Sequence, residues 1–197
     1  MAGVRQYDEE QMFEQALELF WQKGFANTTM QDLAAATGVQ RGSLYNAYGD
    51  KDTLFLKVFA RYRQRFVEQM RDALDRPSLR DALRSFFDFV ISSMTTGSPT
   101  RGCLSTKTAL GSEVLDSSLQ SALRELLDDI EACLVERLAR DQRSAGIAIP
   151  IRQAARLMVT FTRGLVVIER VYADEKRMRA SADALVKLML PPPSAAR

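Results

Sequence analysis

Between residues 28 and 51 the chain reads TTMQDLAAATGVQRGSLYNAYGDK. Thr29 is a typical helix cap, and the apolar spacing after it predicts a short helix that ends at Gly38. A second short helix is predicted from Gln40 to Asn46, with Leu44 as its anchor in the core. Two short amphipathic helices joined by a glycine turn predict a helix-turn-helix, the motif whose second helix enters the major groove of DNA.

Helical spacing continues through the rest of the chain, with no strand-like alternation of useful length. The other predicted helices are Asp8–Lys23, Lys51–Leu74, Leu79–Met94, Gly102–Leu110, Ser117–Gln142, Arg152–Tyr172 and Glu175–Leu190. The pattern leaves room for a break near Lys57. We therefore expect an all-α fold, with a three-helix helix-turn-helix DNA-binding domain at residues 1–50 and a larger helical body at residues 51–197.

Composition argues against several classes of protein. The chain has 197 residues, of which 46% are hydrophobic, and this suits a globular, mainly helical protein. Histidine is absent and there are two cysteines, so we expect no metal site, no cofactor and no enzyme activity. Because no apolar run approaches membrane-spanning length and no signal-peptide pattern is present, we expect a cytoplasmic protein without membrane contact.

The head is acidic, which bears on DNA binding. Residues 1–50 hold three basic and seven acidic side chains, a net charge of −4. Attraction to DNA therefore cannot rest on bulk charge and must rest on the placement of individual groups. The alternative is a helix-turn-helix fold that serves as a protein-interaction module without specific DNA binding.

Individual side chains of the head suit contacts with DNA. Arg41 can bind guanine through two hydrogen bonds, and Gln40 or Asn46 can read adenine. Tyrosine hydroxyls, a hydroxyl at a helix start and a lysine at a helix N-terminus suit phosphates, and Arg5 can reach the backbone or minor groove from an N-terminal arm. The candidate DNA-binding residues are Thr29, Gln40, Arg41, Ser43, Tyr45, Asn46, Tyr48 and Lys51. Tyr45 or Tyr48 can instead lie at the edge of the core, and we expect Tyr48 to be at least partly buried.

Residues 8–55 resemble the DNA-binding domain of the TetR family of bacterial transcriptional regulators. The resemblance is ordered and free of gaps, and it is carried by Gly24–Phe25, Thr29, Leu33–Ala34, Thr37–Gly38–Val39, Gly42–Ser43–Leu44–Tyr45, Tyr48 and Lys51. The chain departs from the family pattern at three places: Thr37 replaces a frequent Ala, Ala47 stands where His is common, and Gly49–Asp50 replaces a usual Pro/Ser pair. Ala47 removes one group that can face DNA.

The resemblance implies a homodimer whose two heads insert recognition helices into successive major grooves of a palindromic, double-stranded DNA operator. It also implies that residues 51–197 form a ligand-binding and dimerisation domain, in which a small-molecule effector changes the spacing of the heads. Most such proteins are repressors that their effector releases from DNA. The sequence leaves repressor and activator open, along with the identity of the effector and the operator.

An effector pocket is predicted between the long fourth helix, the next helix and the short helix that follows Gly102. Aromatic and aliphatic side chains there suit a hydrophobic ligand, and a threonine hydroxyl can supply a hydrogen bond. The candidate ligand-binding residues are Phe59, Tyr62, Phe66, Phe86, Phe89, Val90, Cys103 and Thr106. For any one of these phenylalanines, the alternative is an ordinary place in the core.

Two apolar stripes are predicted to form the dimer face, mainly on the family resemblance. They lie on the predicted helices around Leu119–Leu138 and Ala155–Val171, with a glycine small enough for helices to approach closely. The candidate interface residues are Leu123, Leu127, Ile130, Leu134, Phe161, Gly164, Leu165 and Ile168. The alternative is that these stripes pack only within the subunit.

Cys103 follows Arg101–Gly102 at a predicted helix start, where the helix dipole and the arginine would favour a thiolate. A Gly-Cys-Leu start to this helix resembles one branch of the family, some of whose members sense electrophiles or oxidants. An electrophilic effector is therefore one hypothesis, and a buried, inert cysteine is the alternative. Cys133 lies on an apolar stripe and is expected to serve packing.

Overall fold

We describe the fold from a computed structural model, which describes residues 7–111, 116–141, 147 and 149–190. The helices of the described residues are α1 (Glu9–Lys23), α2 (Met30–Thr37), α3 (Arg41–Tyr48), α4 (Lys51–Leu74), α5 (Leu79–Thr95), α6 (Leu104–Leu110), α7 (Ser117–Arg140), α8 (Ile151–Tyr172) and α9 (Glu175–Met189). No strand occurs in these ranges, which confirms the predicted all-α fold. The fourth helix runs without the break considered near Lys57, and α6 begins at Leu104 rather than at Gly102.

Polar caps set the helix starts of the head, at Thr29 as the sequence predicts and also at Asp8. Asp8 accepts a hydrogen bond from the backbone N–H of Glu10 at 2.9 Å and so caps α1. Thr29 and Asp32 form a reciprocal capping box at the start of α2. Gly38 ends α2 in the left-handed region, at φ 66° and ψ 6°, which a residue with a Cβ adopts only at a cost. This glycine directs the chain from α2 into α3.

The chain divides into two compact units. The first runs to Arg65 and also takes in 104–124, while the second comprises 66–103 and 125–197. The first unit therefore extends beyond the predicted boundary at residue 50, because it is built by packing between segments distant in sequence. The division into residues 1–50 and 51–197 follows motifs and stays a prediction.

Aromatic side chains fill the core of the first unit. Phe20 meets Phe55 edge to face, with ring centroids 5.0 Å apart, and Trp21 meets Tyr62 in the same way at 5.1 Å. The Lys107 ammonium on α6 donates to the Trp21 carbonyl oxygen at 2.8 Å. This carbonyl lies in the last turn of α1, where helix carbonyls lack intrahelical partners, so Lys107 joins α6 to the head.

The second unit is held by its own apolar core and by a buried arginine. Phe86 and Phe87 are buried, with ring centroids 5.0 Å apart. Arg137 of α7 is also buried and donates to the carbonyl oxygens of Leu74 and Arg76, both at 3.0 Å. Arg137 thus satisfies carbonyl groups at and just beyond the end of α4, a role that its place on an amphipathic helix does not reveal.

Candidate functional sites

Helix α3 buries two side chains and exposes the polar ones around them. Leu44 and Tyr48 are buried, and Val39, just before the helix, is buried beside them. The exposed side chains of the segment are Gln40, Arg41, Ser43, Tyr45 and Asn46. Five of the eight predicted DNA-binding residues therefore belong to the exposed edge of this segment, by which we mean its side chains outside the buried positions, in a motif whose second helix enters the major groove.

Arg41 and Tyr45 contact each other along this edge. The Arg41 Nη2 donates to the Tyr45 hydroxyl at 3.4 Å, and the guanidinium carbon lies 5.4 Å from the centre of the tyrosine ring. The two residues are four apart in the sequence, the spacing that places side chains over each other on a helix. Tyr45 remains 40% exposed, so the pair faces solvent.

Thr29 is committed to its cap. Its hydroxyl accepts from the Asp32 backbone N–H at 3.1 Å and donates to the Asp32 carboxylate at 2.8 Å. Lys23 lies 2.8 Å from the same carboxylate. Hydrogen bonds from Lys23 and Thr29 lower the pKa of Asp32 from 3.8 to about 2. The start of α2 is therefore ordered in the absence of DNA. Because the Thr29 hydroxyl is used in the capping box, this helix start can bind a phosphate chiefly through its backbone N–H groups.

Lys51 lies at the start of α4, as predicted, and is held there by Phe25. Its Nζ donates to the Phe25 carbonyl oxygen at 3.0 Å and lies 4.2 Å from the centre of the Phe25 ring. Asp50 caps the helix by accepting from the Thr53 backbone N–H at 2.7 Å, and this bond lowers the pKa of Asp50. An ammonium group has three N–H donors, so one contact with a carbonyl leaves others for a phosphate.

Tyr48 is placed differently from the other predicted DNA-binding residues. Only 4% of it is exposed, and its hydroxyl donates to the Glu9 carboxylate at 2.9 Å and accepts from Tyr7 at 3.5 Å. Burial raises the pKa of the Tyr48 hydroxyl. The hydroxyl expected to meet a phosphate is thus engaged between α3 and α1, because the helical period turns this position towards the core.

Most acidic side chains of the head cap helices or pair with arginines of α4. Glu10 pairs with Arg61 and Glu14 pairs with Arg65, two basic residues of α4. Asp8, Asp32 and Asp50 cap helices. No acidic residue lies within α3, so the net negative charge of the head does not fall on the edge that carries Arg41. Arg5, the predicted arm residue, lies outside the described residues.

The predicted ligand-binding residues are divided between the two compact units. Phe59, Tyr62 and Thr106 belong to the first unit, and Phe66, Phe86, Phe89, Val90 and Cys103 belong to the second. Phe59 and Tyr62 are part of the aromatic core, with ring centroids 5.7 Å apart. Phe86 is also buried. Phe66 packs on the partly exposed Phe89, with ring centroids 5.0 Å apart. Periodicity predicts that these side chains face inward but not whether they enclose a ligand.

Two buried hydroxyls on α6 lack a partner. The Oγ1 atoms of Thr106 and Thr108 make no hydrogen bond with any described residue. A buried hydroxyl without a partner is costly, so such atoms mark places where a ligand or water is expected to bind. Thr106 is among the predicted ligand-binding residues, and Thr108 is a second threonine of the same helix.

Cys103 is partly exposed and has an arginine beside it. The Nη1 of Arg163, on α8, donates to the Cys103 sulfur at 3.4 Å. Arg163 also donates to the Thr162 hydroxyl through Nε at 3.2 Å. Arg163 is not among the predicted site residues, and its position as an arginine within an otherwise apolar stretch of α8 is the signal in the sequence that points to it.

The predicted dimer face stays a prediction, and the single chain already covers part of it. On α7, Leu123, Ile130 and Leu134 are already buried within the single chain, as is Leu165 on α8, so they offer no surface to a second copy. Leu127, Phe161 and Ile168 are partly exposed, and Gly164 is open, with nothing within 4 Å of the position a Cβ would take. An apolar stripe predicts that a face is covered, but not whether its own chain or a partner covers it.

Helix α8 does carry an uncovered apolar stripe. Leu157, Val167 and Val171 are 45%, 55% and 68% exposed. They lie on one side of the helix with Gly164, at spacings of three, four and seven residues. Val167 and Val171 were missed because the prediction favoured the inward half of the same helix. Their regular spacing from Gly164 was the signal in the sequence.

The part of the chain that the structure describes has neither a cluster of metal ligands nor a membrane-spanning helix. No group of three or more Cys, Asp or Glu side chains there is placed to hold a metal ion. None of the described helices combines the length and apolar character needed to cross a membrane.

The chain matches two protein-family descriptions in the expected order. Residues 13–58 match "Bacterial regulatory proteins, tetR family", and residues 78–185 match "Tetracyclin repressor-like, C-terminal domain". The first match contains the helix-turn-helix, and the second covers more than half of the chain. Together they include α2, α3 and most of the C-terminal helices.

Individual relatives agree over nearly the whole length. The uncharacterized HTH-type transcriptional regulator YezE of Bacillus subtilis (strain 168) is 25% identical over 193 residues, covering 96% of this chain and all of the relative. A cysteine mutant of the TetR family transcriptional regulator CifR, solved with 26-bp double-strand operator DNA, is 23% identical with a TM-score of 0.84, covering 95% and 100% of the two chains. The transcriptional regulator FadR of Bacillus subtilis, solved with stearoyl-CoA, is 17% identical with a TM-score of 0.75, covering 93% and 98%. At these identities the two structures establish likeness of fold.

Proposed function

Because this chain belongs to the tetR family of bacterial regulatory proteins, we propose that it is a transcriptional repressor that a small hydrophobic or electrophilic effector releases from a palindromic operator. The observation that carries the proposal is the exposed edge of α3, with Arg41 at the end that a helix-turn-helix directs to the bases. A protein that regulates transcription in a bacterium works in the cytoplasm, where its DNA is.

On this proposal, the predicted DNA-binding residues, apart from the buried Tyr48, divide between contacts with bases and contacts with phosphates. Arg41 reads a guanine, and Gln40 or Asn46 reads an adenine. The hydroxyls of Ser43 and Tyr45 donate hydrogen bonds to phosphates. Lys51 and the start of α2 at Thr29 contact the DNA backbone on either side. The placement of the acidic residues supports this assignment, because helix caps and Arg61 or Arg65 account for most of them.

The alternative, an interaction module without specific DNA binding, drew its support from the acidic head. That support weakens because α3 itself carries no acidic residue. Non-specific affinity depends on neutralised phosphates, so a few well-placed cations suffice for a neutral or acidic domain.

Selection from random double-stranded DNA tests the proposal directly. We expect a palindromic sequence to be enriched and to bind the full-length protein in a gel shift, with weaker binding at higher salt. Deleting the gene should raise expression of a reporter placed behind that sequence. Enrichment of no sequence at low salt would refute the proposal and favour the interaction module.

Two variants then separate base reading from phosphate contact. Arg41→Ala should cost about 1–3 kcal/mol and relax the preference at one base pair of each half-site. Lys51→Ala should weaken binding to all sequences and reduce the salt slope by about one. Lys57→Ala is the matched control, because Lys57 is an exposed lysine of the same helix to which we assign no contact.

For the effector, two observations support different chemistries. The unpartnered Thr106 and Thr108 hydroxyls support a mainly apolar ligand that offers one or two hydrogen bonds. The Arg163 guanidinium, 3.4 Å from the Cys103 sulfur, supports an electrophilic ligand, because a neighbouring positive charge favours the reactive thiolate. A Cys103→Ser protein that still leaves its operator on treatment with N-ethylmaleimide would dismiss the electrophile.

A second copy of the chain is the proposed partner for α8. The stripe of Leu157, Gly164, Val167 and Val171 leaves apolar surface in water that a second α8 would cover, and the glycine allows close approach of the two helices. Two heads on one dimer would match the two half-sites of a palindrome.

A further inference from the structure

Among the described residues, the hydrogen bond and the ring contact of Arg41 are both with Tyr45. Within the described part of the chain, Tyr45 accepts its hydrogen bond at 3.4 Å and lies beneath its guanidinium at 5.4 Å from the ring centre. The carboxylates of Glu10 and Glu14, which could compete for an arginine, are paired with Arg61 and Arg65. The arginine that we expect to read a base is therefore held by a tyrosine and not by an acid.

The nature of this partner matters for binding. An arginine paired with a carboxylate would have to break a charged contact before it met DNA. An arginine resting on a tyrosine keeps its positive charge uncompensated, while its long side chain is already partly ordered. Ordering in the free protein reduces the entropy lost when the guanidinium takes up its fork-like contact with a guanine.

The Tyr45 hydroxyl can accept one hydrogen bond and donate another at the same time. It accepts a hydrogen bond from Arg41 through its oxygen lone pair and still carries its own proton. That proton is available to a phosphate oxygen, so a phosphate contact and the position of Arg41 are joined through one oxygen atom.

We propose that Tyr45 is a positioning residue for Arg41, and that it sets the strength of base discrimination at the position Arg41 reads in addition to any phosphate contact of its own. The inference rests on the proposed function, since it concerns how α3 reads an operator. It predicts a coupling that a simple phosphate donor would not produce.

A double-mutant cycle tests this coupling. Four full-length proteins are compared: wild type, Tyr45→Phe, Arg41→Ala and the double variant. Each is titrated with the selected operator and with an operator changed at the base pair where Arg41→Ala loses its preference. Tyr45→Phe keeps the ring and removes only the oxygen, and because Tyr45 is exposed, the substitution leaves the core intact.

Wild type should prefer the selected operator by about 5-fold or more, the range of a good bidentate contact. We expect Tyr45→Phe to reduce this preference by roughly threefold with an unchanged salt slope, since tyrosine carries no charge. In the Arg41→Ala background, Tyr45→Phe should leave the preference unchanged. Equal losses of affinity for both operators in both backgrounds would overturn the inference, as would no effect at all.

A measurement without DNA provides an independent check. In the free protein, the heteronuclear NOE of the Arg41 Nε–H should fall in Tyr45→Ala, which removes both the ring and the hydroxyl. An unchanged NOE would also overturn the inference. Failure of the proposed function is distinguishable, because it appears earlier as selection that enriches no DNA sequence.

Discussion

Tyr48→Phe separates a core role of Tyr48 from a phosphate contact. The substitution removes the hydroxyl that donates to the Glu9 carboxylate at 2.9 Å and retains the ring, which lies 5.8 Å from that of Phe13. Hydrogen bonds to charged groups contribute about 1.5–3 kcal/mol to stability. Because Glu9 is only half-buried and water can replace the lost donor, we expect the lower end, about 1.5 kcal/mol.

Trp21 provides the assay, because it is the one tryptophan of the chain and lies in the same compact unit as Tyr48. Its fluorescence reports urea unfolding of the head, measured at a fixed protein concentration because association stabilises oligomers. When the protein is unfolded by heat instead, this loss of stability should lower the melting temperature by roughly 3–6 °C in a chain of this length. Operator affinity and its salt slope, measured where both proteins are folded, should stay within about twofold of wild type.

Tyr45→Phe is the matched control, since it removes the same atom from an exposed side chain of the same helix. Its unfolding free energy should change by less than about 0.5 kcal/mol, whereas its operator binding should weaken. The reverse result, in which Tyr48→Phe leaves stability unchanged and weakens operator binding, would refute the assignment of Tyr48 to the core and restore the phosphate contact.

Three further outcomes are expected. Gly38→Ala should lower stability by about 1–2 kcal/mol in urea unfolding, because φ is 66° there, whereas Gly42→Ala within α3 should be neutral or stabilising. Val167→Glu should shift the protein towards monomer in sedimentation velocity, whereas the equally drastic Leu110→Glu, at the exposed last residue of α6, should not; equal dissociation by both would argue against α8 as the interface. The folded-state pKa of Asp32, about 2, lies below its usual 3.8, so its contribution to stability is present above about pH 4 and is lost as the pH falls towards 2. The stability difference between wild type and Asp32→Asn should shrink over that range, and a constant difference would contradict the prediction.

Local patterns account for the parts of the head that were predicted correctly. The capping box at Thr29, the turn at Gly38 and the inward position of Leu44 depend on residues no more than four positions apart. Helix periodicity depends on the same short range, so the predicted bounds of α1 and α4 agree with the structure to within a residue. The exposed residues of α3 are those that the spacing leaves outside its two buried positions, Leu44 and Tyr48.

Short-range patterns do not show which surface covers an apolar face or which partner a charge has. The stripe of α7 with Ile130 and Leu134 has the pattern of an interface, but the chain itself covers it. The net negative charge of the head argued against DNA binding, but Glu10 pairs with Arg61 of α4, 51 positions away in the sequence. Neither partner is visible in a window of sequence, because topology brings them together.

The sequence by itself determined the helix-turn-helix, the all-helical architecture and the exposed candidates on α3, because caps, turns and amphipathic faces are properties of neighbouring residues. Only the tertiary structure decided that Tyr48 bonds to Glu9 in the core and that α8, rather than α7, has uncovered apolar surface. It likewise placed Arg163 beside Cys103, two residues 60 positions apart. Such pairings are set by how the helices pack, and packing depends on the whole chain at once.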